Sequence, residues 1–148
     1  MTSRMIWFGG KRPSLDTLNP VHKDTLQRHL GMEVVACGDD WLTLRMPVDE
    51  RTRQPFGRLH GGASVALAET AGSMAANLCV DPEQSVAVGL EINANHIRPA
   101  YDGWVHATAR PEAMGRTTQV WSIRIEDESG KLVCISRFTV AVIPKERK

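Results

Sequence analysis

Residues 51–78 read RTRQPFGRLHGGASVALAETAGSMAANL, and this stretch decides how the rest of the chain is arranged. Its first part is interrupted by Pro55, Gly57 and the pair Gly61-Gly62, which predicts a loop rather than regular structure. After the two glycines, alanine, leucine and methionine dominate, and apolar residues cover nearly the whole circumference. This pattern predicts a long helix that is buried on all sides.

The predicted helix carries a carboxylate, Glu69, near its middle, with Ser73 one turn further along the same face. An ionised carboxylate among apolar residues is costly unless it is paired or hydrogen-bonded. Before it, His60-Gly61-Gly62 places a helix N-terminus, where backbone N–H groups are free. Oxyanion donors at one end and a carboxylate further along are the parts that an acyl-transfer hydrolase needs. The alternative is that Glu69 is capped by backbone or by an arginine and serves only the register of a dimer.

The spacing between these two groups adds a second inference. Gly61 and Glu69 are eight residues apart, which corresponds to roughly 12 Å along a helix axis. One carbonyl carbon cannot contact both, because reacting groups must lie about 3 Å from it. If both groups act on one carbonyl, they must come from two copies of the chain, with their helices packed antiparallel about a two-fold axis.

The composition predicts a single domain over residues 1–148, in which residues 1–30 form an N-terminal arm and short helices. With 42% hydrophobic and 24% charged residues, the 148-residue chain is neither disordered nor fibrous. A formal net charge of +1 gives no electrostatic basis for binding nucleic acid or an anionic membrane. The basic tail Lys145-Glu146-Arg147-Lys148 is interpreted as a solvated end.

Cysteine usage and hydropathy bear on the compartment. Cys37, Cys79 and Cys134 are scattered without a CxxC motif, as expected of reduced core residues. No apolar run approaches the ~18 residues of a membrane span, and the start of the chain lacks a signal-peptide core. These features predict a cytoplasmic protein.

The elements around the central helix follow from turn signals and alternation. Trp7 and Phe8 lie in a loosely structured arm, and two short helices precede Gly31. A hairpin of two strands comes before the central loop and helix, and four more strands come after them. The expected strands are 32–37, 41–48, 85–97, 104–113, 117–127 and 131–143. Gly89, inside a strand, predicts a bulge or the close approach of a ligand.

A single long helix beside a series of antiparallel strands is buried only if the sheet curls around it. The predicted fold class is therefore α+β, with the hotdog architecture of a long central helix wrapped by a curved antiparallel sheet. No internal repeat or linker divides the chain.

Several stretches resemble the PaaI-like group of hotdog-fold thioesterases, over essentially the whole chain. Within that group the similarity is greatest to the branch that acts on 1,4-dihydroxy-2-naphthoyl-CoA in menaquinone synthesis, and to a related branch that proofreads enterobactin synthesis. The stretches that carry it are Met5-Ile6-Trp7, MPVDERTRQPFGRLHGGAS at 46–64, LAET at 67–70, GLEINANHIRP at 89–99 and QVW at 119–121.

The resemblance implies a role for each matching residue. Glu69 is expected to be the catalytic carboxylate, either as nucleophile or as general base, and Ser73 to help place water. Gly61 is expected to donate its N–H to the oxyanion, while His60 and Gln54 orient the thioester carbonyl. The residues expected to hold substrate and coenzyme A are Gly89, His96, Ile97, Arg98, Pro99, Met114, Gly115, Arg116, Thr117 and Thr118.

The same resemblance implies an active tetramer made of two dimers and no separate cofactor, since coenzyme A is part of the substrate. The expected reaction is hydrolysis of an aromatic or medium-chain acyl-CoA thioester. Gly115-Arg116-Thr117-Thr118 resembles the Gly-Arg pair of the enterobactin branch more than the Gly-Ser-Arg of the naphthoyl branch. Ala113, just before this bend, stands at the position of a histidine of the PaaI-like group. Asp81-Pro82-Glu83 is one residue longer than in the naphthoyl branch. These departures leave the acyl group open.

Three alternative functions stay open at this point. The site could act on acyl groups held by a phosphopantetheine carrier protein, or the chain could bind acyl-CoA without consuming it. A hotdog hydratase is a third option, although hydratases place their carboxylate differently.

Each candidate residue also has a structural explanation. His60 could be a helix cap, Gln54 could bond its own loop, and Ser73 could permit close helix packing. Arg98 and Arg116 could be plain surface charges rather than a clamp for phosphates. No metal site is predicted, because His96 and His106 could lie on adjacent strands but have no third ligand at metal spacing.

Overall fold

The computed structural model describes residues 4–19 and 24–146. The central helix α3 spans Gly61–Leu78, and two one-turn helices precede it, α1 at Leu15–Leu18 and α2 at Leu26–His29. The six strands are β1 Glu33–Cys37, β2 Leu42–Pro47, β3 Ser85–His96, β4 Trp104–Met114, β5 Thr118–Glu126 and β6 Leu132–Pro144. Each predicted strand is present, with boundaries shifted by a residue or so.

All six strands form one antiparallel sheet in the order β1-β2-β4-β5-β6-β3, and α3 packs against β2 through β6. The predicted fold, a long helix wrapped by a curved antiparallel sheet, is confirmed. One connection differs from the expected series of neighbours. The chain leaves β3 at one edge and crosses to β4, so that β3 pairs with β6 instead.

This crossing corrects the expectation about two histidines. His96 ends β3 and His106 lies in β4, and β5 and β6 separate these strands. Strands β3 and β4 follow each other in the chain but are not neighbours in the sheet. Within the described ranges, no three His, Cys, Asp or Glu side chains are grouped as metal ligands would be.

The core lies between α3 and the concave face of the sheet. Small residues of the helix allow a close approach, because Ala68, Ala71 and Ala75 are fully buried and Gly72 faces the ring of Phe138. A Cβ placed on Gly72 would lie 2.5 Å from Phe138 Cδ2. Glycine at this position therefore sets how near the helix comes to β6.

The prediction that α3 is buried all round is wrong for the single chain. The face carrying Val65, Ala66, Glu69, Thr70 and Ser73 is only half-buried. The sequence could not indicate this face, because apolar residues such as alanine occur both on the side of α3 that packs against the sheet and on the side that does not. Strand β3 is an edge of the sheet beside the same helix, and Leu90 on it is 62% exposed.

Two features fix β3 against the helix. The pairing of β3 with β6 shifts by one residue between Gly89 and Glu91, which confirms the bulge predicted at Gly89. One turn of helix after Ser73, the side chain of Asn77 accepts a hydrogen bond from Ala87 N at 2.9 Å and donates one to Ala87 O at 3.0 Å. This amide therefore ties the C-terminal part of α3 to the strand just before the bulge.

The N-terminal arm is more firmly attached than the sequence predicts. Trp7 is 3% exposed, and its Nε1–H donates to Gly38 O at 2.8 Å. Ile6 N donates to Asp39 O at 3.0 Å, so that the arm is held by the β1–β2 turn. The glycines after Phe8 led to the expectation of a loose arm, although the indole beside them is a core residue.

Some predictions fall partly outside the described residues. The second short helix, expected over 21–30, includes three such positions, and the described part is helical at Leu26–His29. The last two residues of the basic tail lie outside as well. No described helix is long and apolar enough to cross a membrane.

The packing of Gly72 generates a stability prediction. We expect Gly72→Ala to lower the free energy of unfolding by about 1–3 kcal/mol, because the added methyl group would lie 2.5 Å from the fully buried ring of Phe138. This cost exceeds the gain in helix propensity, which is at most ~1 kcal/mol. Chemical denaturation measures both the single variant and the same change in a Phe138→Leu background.

In the Phe138→Leu background the colliding ring atoms are absent, so the cost of Gly72→Ala should shrink. An equal cost in both backgrounds would show that the contact with Phe138 does not limit the approach of the helix.

Candidate active site at the N-terminus and middle of α3

The first turn of α3 leaves one backbone donor without an acceptor. His60 is the N-cap, and its carbonyl accepts from Ala63 N at 3.0 Å and Ser64 N at 3.2 Å. Its Nδ1 accepts from Gly62 N at 2.8 Å. Among the residues that the structure describes, Gly61 N–H has no acceptor. A free N–H at the positive end of an 18-residue helix is a binding site for a negatively charged oxygen.

The capping role of His60 also fixes which of its nitrogens can act on a ligand. Because Nδ1 accepts a hydrogen bond, the neutral ring carries its proton on Nε2. The side chain is exposed, so Nε2–H can donate to a group placed near Gly61. The cap and the expected orienting role are therefore compatible.

His96 lies beside the same free donor. A Cβ placed on Gly61 would be 3.0 Å from His96 Nε2 and 3.1 Å from its Cε1. His96 is the last residue of β3, and the segment expected to hold coenzyme A follows it directly. The fold therefore brings two separately predicted groups of residues together at the start of α3.

Gln54 belongs to the loop that leads into this helix. Its side-chain Oε1 accepts from Phe56 N, and its backbone N donates to Arg58 O at 2.8 Å. The oxygen of the side chain thus stabilises its own loop, as the structural alternative proposed. The side-chain nitrogen of Gln54, Nε2, donates to no acceptor in the described part of the chain.

Glu69 lies against Gly89 of the same chain. A Cβ on Gly89 would be 2.8 Å from Glu69 Oε1 and 2.9 Å from Phe138 Cε1. Gly89 therefore makes room for the carboxylate of Glu69. This role was not predicted from the sequence, which indicated only a bulge or contact with a ligand. Ser73 is half-buried one turn along the helix, as predicted.

The carboxylate of Glu69 has no partner among the described residues, neither a hydrogen-bond donor nor a cation. It is half-buried rather than enclosed, so the expected cost of a fully buried charge does not arise within one chain. The alternative, in which backbone or an arginine caps it, is not found in the described residues. Because this carboxylate, on the half-buried face of α3, has no partner among the described residues, it is available to act on a ligand.

The remaining predicted binding residues lie at two opposite ends of the sheet. Met114 to Thr118 form the β4–β5 turn, which Gly115 N closes by donating to Thr118 O at 2.8 Å. In the registers of the sheet, Thr118 pairs with Ala141 of β6, whereas His96 pairs with Cys134. The partners on β6, Ala141 and Cys134, are seven residues apart, which corresponds to about 23 Å along the strand. The β4–β5 turn and His96 are therefore separated by about this distance along the sheet.

One chain therefore carries two half-sites. The donor half-site comprises Gln54, His60, Gly61 and His96–Pro99. The carboxylate half-site comprises Glu69, Ser73, Gly89 and Met114–Thr118, because Gly89 and Gln119 both pair with Val140. The single chain places the β4–β5 turn level with Gly89, two strand spacings or ~10 Å away across β6, and keeps the two half-sites apart.

Several residues around both half-sites were not predicted from the sequence. Asn77 was hidden in the alanine-rich run AANL, although a lone amide in an apolar helix is a sign of a specific partner. Phe56, Arg58 and Tyr101 flank the donor half-site and are exposed, with 83% of Phe56 and 55% of Tyr101 accessible. The interrupted run QPFGR was the available signal, because it places an aromatic and a cation at a loop tip.

None of the three thiols is suited to act as the nucleophile. Burial raises the pKa of Cys79 to about 12 and also raises the pKa of Cys37 and Cys134. A thiol with a raised pKa carries little thiolate, which is the reactive form. All three are free, as predicted, and the carboxylate remains the candidate for catalysis.

Comparison with known proteins identifies the family of the chain. Residues 56–134 match the thioesterase superfamily. The 1,4-dihydroxy-2-naphthoyl-CoA hydrolase of Escherichia coli is 49% identical over 94% of this chain and 100% of that protein. The proofreading thioesterase EntH of Cronobacter turicensis is 49% identical over 94% of this chain and 99% of its own length. The structure of a mutant of thioesterase PA1618 from Pseudomonas aeruginosa is 51% identical, with a TM-score of 0.91 over 95% of this chain and 99% of that one.

The cysteine environments generate a prediction about reactivity. At pH 8 a thiol with a pKa near 12 is about 10⁻⁴ ionised, so iodoacetamide should modify Cys79 roughly a thousandfold more slowly than an unperturbed thiol. The thiolate fraction rises with pH, so the rate should increase about tenfold per pH unit up to the limit of native stability. Mass spectrometry of digested samples follows each site separately.

Unfolding in guanidinium serves as the control, because it should make all three thiols react at the rate of free cysteine. Rapid modification of native Cys79 at pH 8 would contradict the effect of burial.

Proposed function

Since the chain belongs to the thioesterase superfamily, and is therefore a thioester hydrolase, we propose that it hydrolyses an aromatic acyl-CoA to the free acid and coenzyme A. The first candidate substrate is 1,4-dihydroxy-2-naphthoyl-CoA, which would place the enzyme in menaquinone synthesis. The observation that carries the proposal is the pair of unpartnered groups, Gly61 N–H and the carboxylate of Glu69. Membership of a hydrolase family also decides against a module that only binds acyl-CoA.

The two half-sites form one site when two copies of the chain associate. Gly61 and Glu69 are separated by eight residues of one helix, or about 12 Å, which is too far for both to contact one carbonyl. The half-buried face of α3 and the exposed edge strand β3 offer the surface for a second copy. With two helices antiparallel, Glu69 of one protomer would approach Gly61 of its partner. A second such dimer would complete the expected tetramer.

The reaction then uses each group in a simple way. The carbonyl oxygen accepts hydrogen bonds from Gly61 N–H and from His60 Nε2–H, and these donors stabilise the negative charge that develops on it. Glu69 from the partner either attacks the carbonyl carbon, forming an anhydride that water then opens, or removes a proton from the attacking water. The C–S bond breaks and the thiolate takes up a proton to give the free thiol. A thiolate is a good leaving group, so no strong general acid is needed.

A cavity beside the C-terminal half of α3 is a candidate for the acyl group. It has a volume of about 250 Å³, and its apolar walls include Leu18, Met32, Val34, Leu44 and Met74. Met74 follows Glu69 by five residues, or about 7.5 Å along the helix axis. The lining also includes the polar residues Asn19, Gln27, Arg28 and Glu33. Its apolar part is small and fits a ring system better than a long chain, which favours an aromatic acyl group.

A second candidate function is the release of acyl groups from a phosphopantetheine carrier protein. It is favoured by the similarity to the proofreading thioesterase EntH and by the Gly115-Arg116 pair in the β4–β5 turn. The chemistry of the site would be the same. The two functions differ only in the carrier of the thiol, which is coenzyme A in the first and a phosphopantetheine carrier protein in the second.

The role of Glu69 is tested by Glu69→Gln, which keeps the shape of the side chain but removes its charge. We expect kcat to fall at least about 10³-fold while binding of coenzyme A is retained, because the carboxylate acts in the chemical step. Thiol release is measured from a panel of 1,4-dihydroxy-2-naphthoyl, benzoyl, phenylacetyl and fatty acyl-CoA. Glu83→Gln, an exposed carboxylate before β3, serves as the matched control.

An undiminished rate in Glu69→Gln would refute the catalytic assignment. A preference for long fatty acyl-CoA over the aromatic members would instead refute the proposed acyl class.

The oxyanion donor can be removed without disturbing the helix. Gly61 is the first helical residue, where proline is well tolerated, and His60 has ψ 130°, the extended conformation that precedes proline. We expect Gly61→Pro to fold and to lose about 10²–10³ in kcat, the usual cost of one oxyanion donor. Gly61→Ala is the matched control, because it adds a similar carbon beside His96 but keeps the N–H.

Mixing Gly61→Pro chains with Glu69→Gln chains then tests where the two groups meet. After unfolding and refolding together, half of the dimers are mixed, and each mixed dimer has one intact site out of two. The mixture should therefore recover about a quarter of the wild-type activity. A mixture as inactive as its parents would show that both groups act within one chain.

A further inference from the structure

A cluster of two cations and one aromatic ring, formed by Arg53, Arg58 and Tyr101, lies beside the donor half-site. Arg53 Nε and Nη2 both donate to Tyr101 O, at 3.1 and 2.9 Å. Arg58 Cζ lies 6.0 Å from the centroid of the Tyr101 ring. Both arginines are exposed, and so is the tyrosine ring between them. The two loops that carry them are joined by Leu59 N donating to Ala100 O at 2.7 Å.

The two arginines of this cluster form no ion pair with a carboxylate among the described residues, although Arg51 and, to a smaller extent, Arg53 lower the pKa of Asp49. Five arginines are ion-paired to carboxylates within the described ranges, namely Arg12, Arg45, Arg51, Arg110 and Arg124. Arg53, Arg58 and the neighbouring Arg98 are not among them, although Asp102 is exposed in the same turn. Three arginines without an ion-paired carboxylate among the described residues therefore lie in the two loops that carry Arg58 and Tyr101.

The cluster is next to the place where the thioester carbonyl would bind. Arg58 precedes Gly61 by three residues, so their Cα atoms are at most about 11 Å apart. His60 N donates to Thr52 O at 2.8 Å, which places the residue before Arg53 beside the helix cap. An arm that leaves the carbonyl away from α3 passes over this surface.

We propose that Arg53, Arg58 and Tyr101 bind the phosphate at the far end of the pantetheine arm. This inference rests on the proposed function, and it assigns the part of the substrate on the thiol side. The arm ends in a phosphate in both candidate substrates, as the diphosphate of coenzyme A or as the phosphodiester of a carrier protein. Guanidinium groups match phosphate oxygens with paired N–H donors. Arg53 has its Nε and Nη2 committed to a carbonyl, so Arg58 is the more available of the two.

The test compares substrates with and without the phosphate, using Arg58→Leu. This variant replaces an exposed side chain by an uncharged one without N–H donors, so the guanidinium is lost while folding is preserved. For each enzyme, kcat/KM is measured with the same acyl group on coenzyme A, on a carrier protein and on pantetheine, which has no phosphate. We expect the preference for a phosphate-bearing substrate over acyl-pantetheine to fall about tenfold, mainly through KM, as for loss of one charge-assisted hydrogen bond. Arg124→Leu, on β5, is the matched control.

A loss for both acyl-CoA and acyl-carrier protein supports the shared phosphate, and a loss for only one of them supports the site and identifies its source. An equal loss with acyl-pantetheine, or no loss with any substrate, overturns the proposal. Binding of coenzyme A to the Glu69→Gln enzyme, with and without Arg58→Leu, is followed by calorimetry and needs no turnover. Weaker binding in the double variant supports the phosphate site even if the aromatic substrate assignment fails.

Discussion

The whole arrangement depends on one packing constraint, the ring of Phe138 held between two glycines. Gly72 of α3 and Gly89 of β3 both face this ring, and a methyl group on either would collide with it. Because both positions lack a side chain, the helix and the edge strand approach each other closely over β6. The same approach leaves a space at Gly89 that the carboxylate of Glu69 occupies. Close packing in the core and the position of the reactive group are thus one property of the fold.

The cap of α3 shows how a helix end can present a single donor. Three of the first four N–H groups are used by one residue, since His60 accepts with its carbonyl from two of them and with its imidazole from the third. The remaining donor, at Gly61, points where nothing in the described chain accepts from it. An N-terminus with four free donors would bind water or any anion. One free donor beside two histidines gives a defined position for a single oxygen.

Much of this was predictable because the signals are local. Pro55, the glycine pair and the alanine-rich run placed the start of α3 within two residues, and the parts of the site followed from that helix. The half-buried face of α3 was not predictable, because alanine does not distinguish a sheet from a partner. Trp7 was misjudged, because the glycines beside it indicate a loop and its acceptor, Gly38 O, is 31 residues away. The pairing of β3 with β6 was not predictable, because it depends on a crossing of the chain that no local pattern records. The separation of Met114–Thr118 from His96 follows more simply, because antiparallel β3 and β4 end at opposite ends of the sheet.

The bulge in β3 has a consequence for which side chains face the helix. Before it, Ala87 and Gly89 point towards α3, and after it Ile92, Ala94 and His96 do, so the inward positions change from odd to even at Leu90. Without the extra residue, Asn93 and Asn95 would face the core and His96 would face solvent. Whether the number of residues in β3 before His96 is odd or even therefore decides whether this histidine lies beside the free N–H of Gly61. A family of such proteins can gain or lose that histidine by inserting or deleting one residue, with no substitution at the site itself.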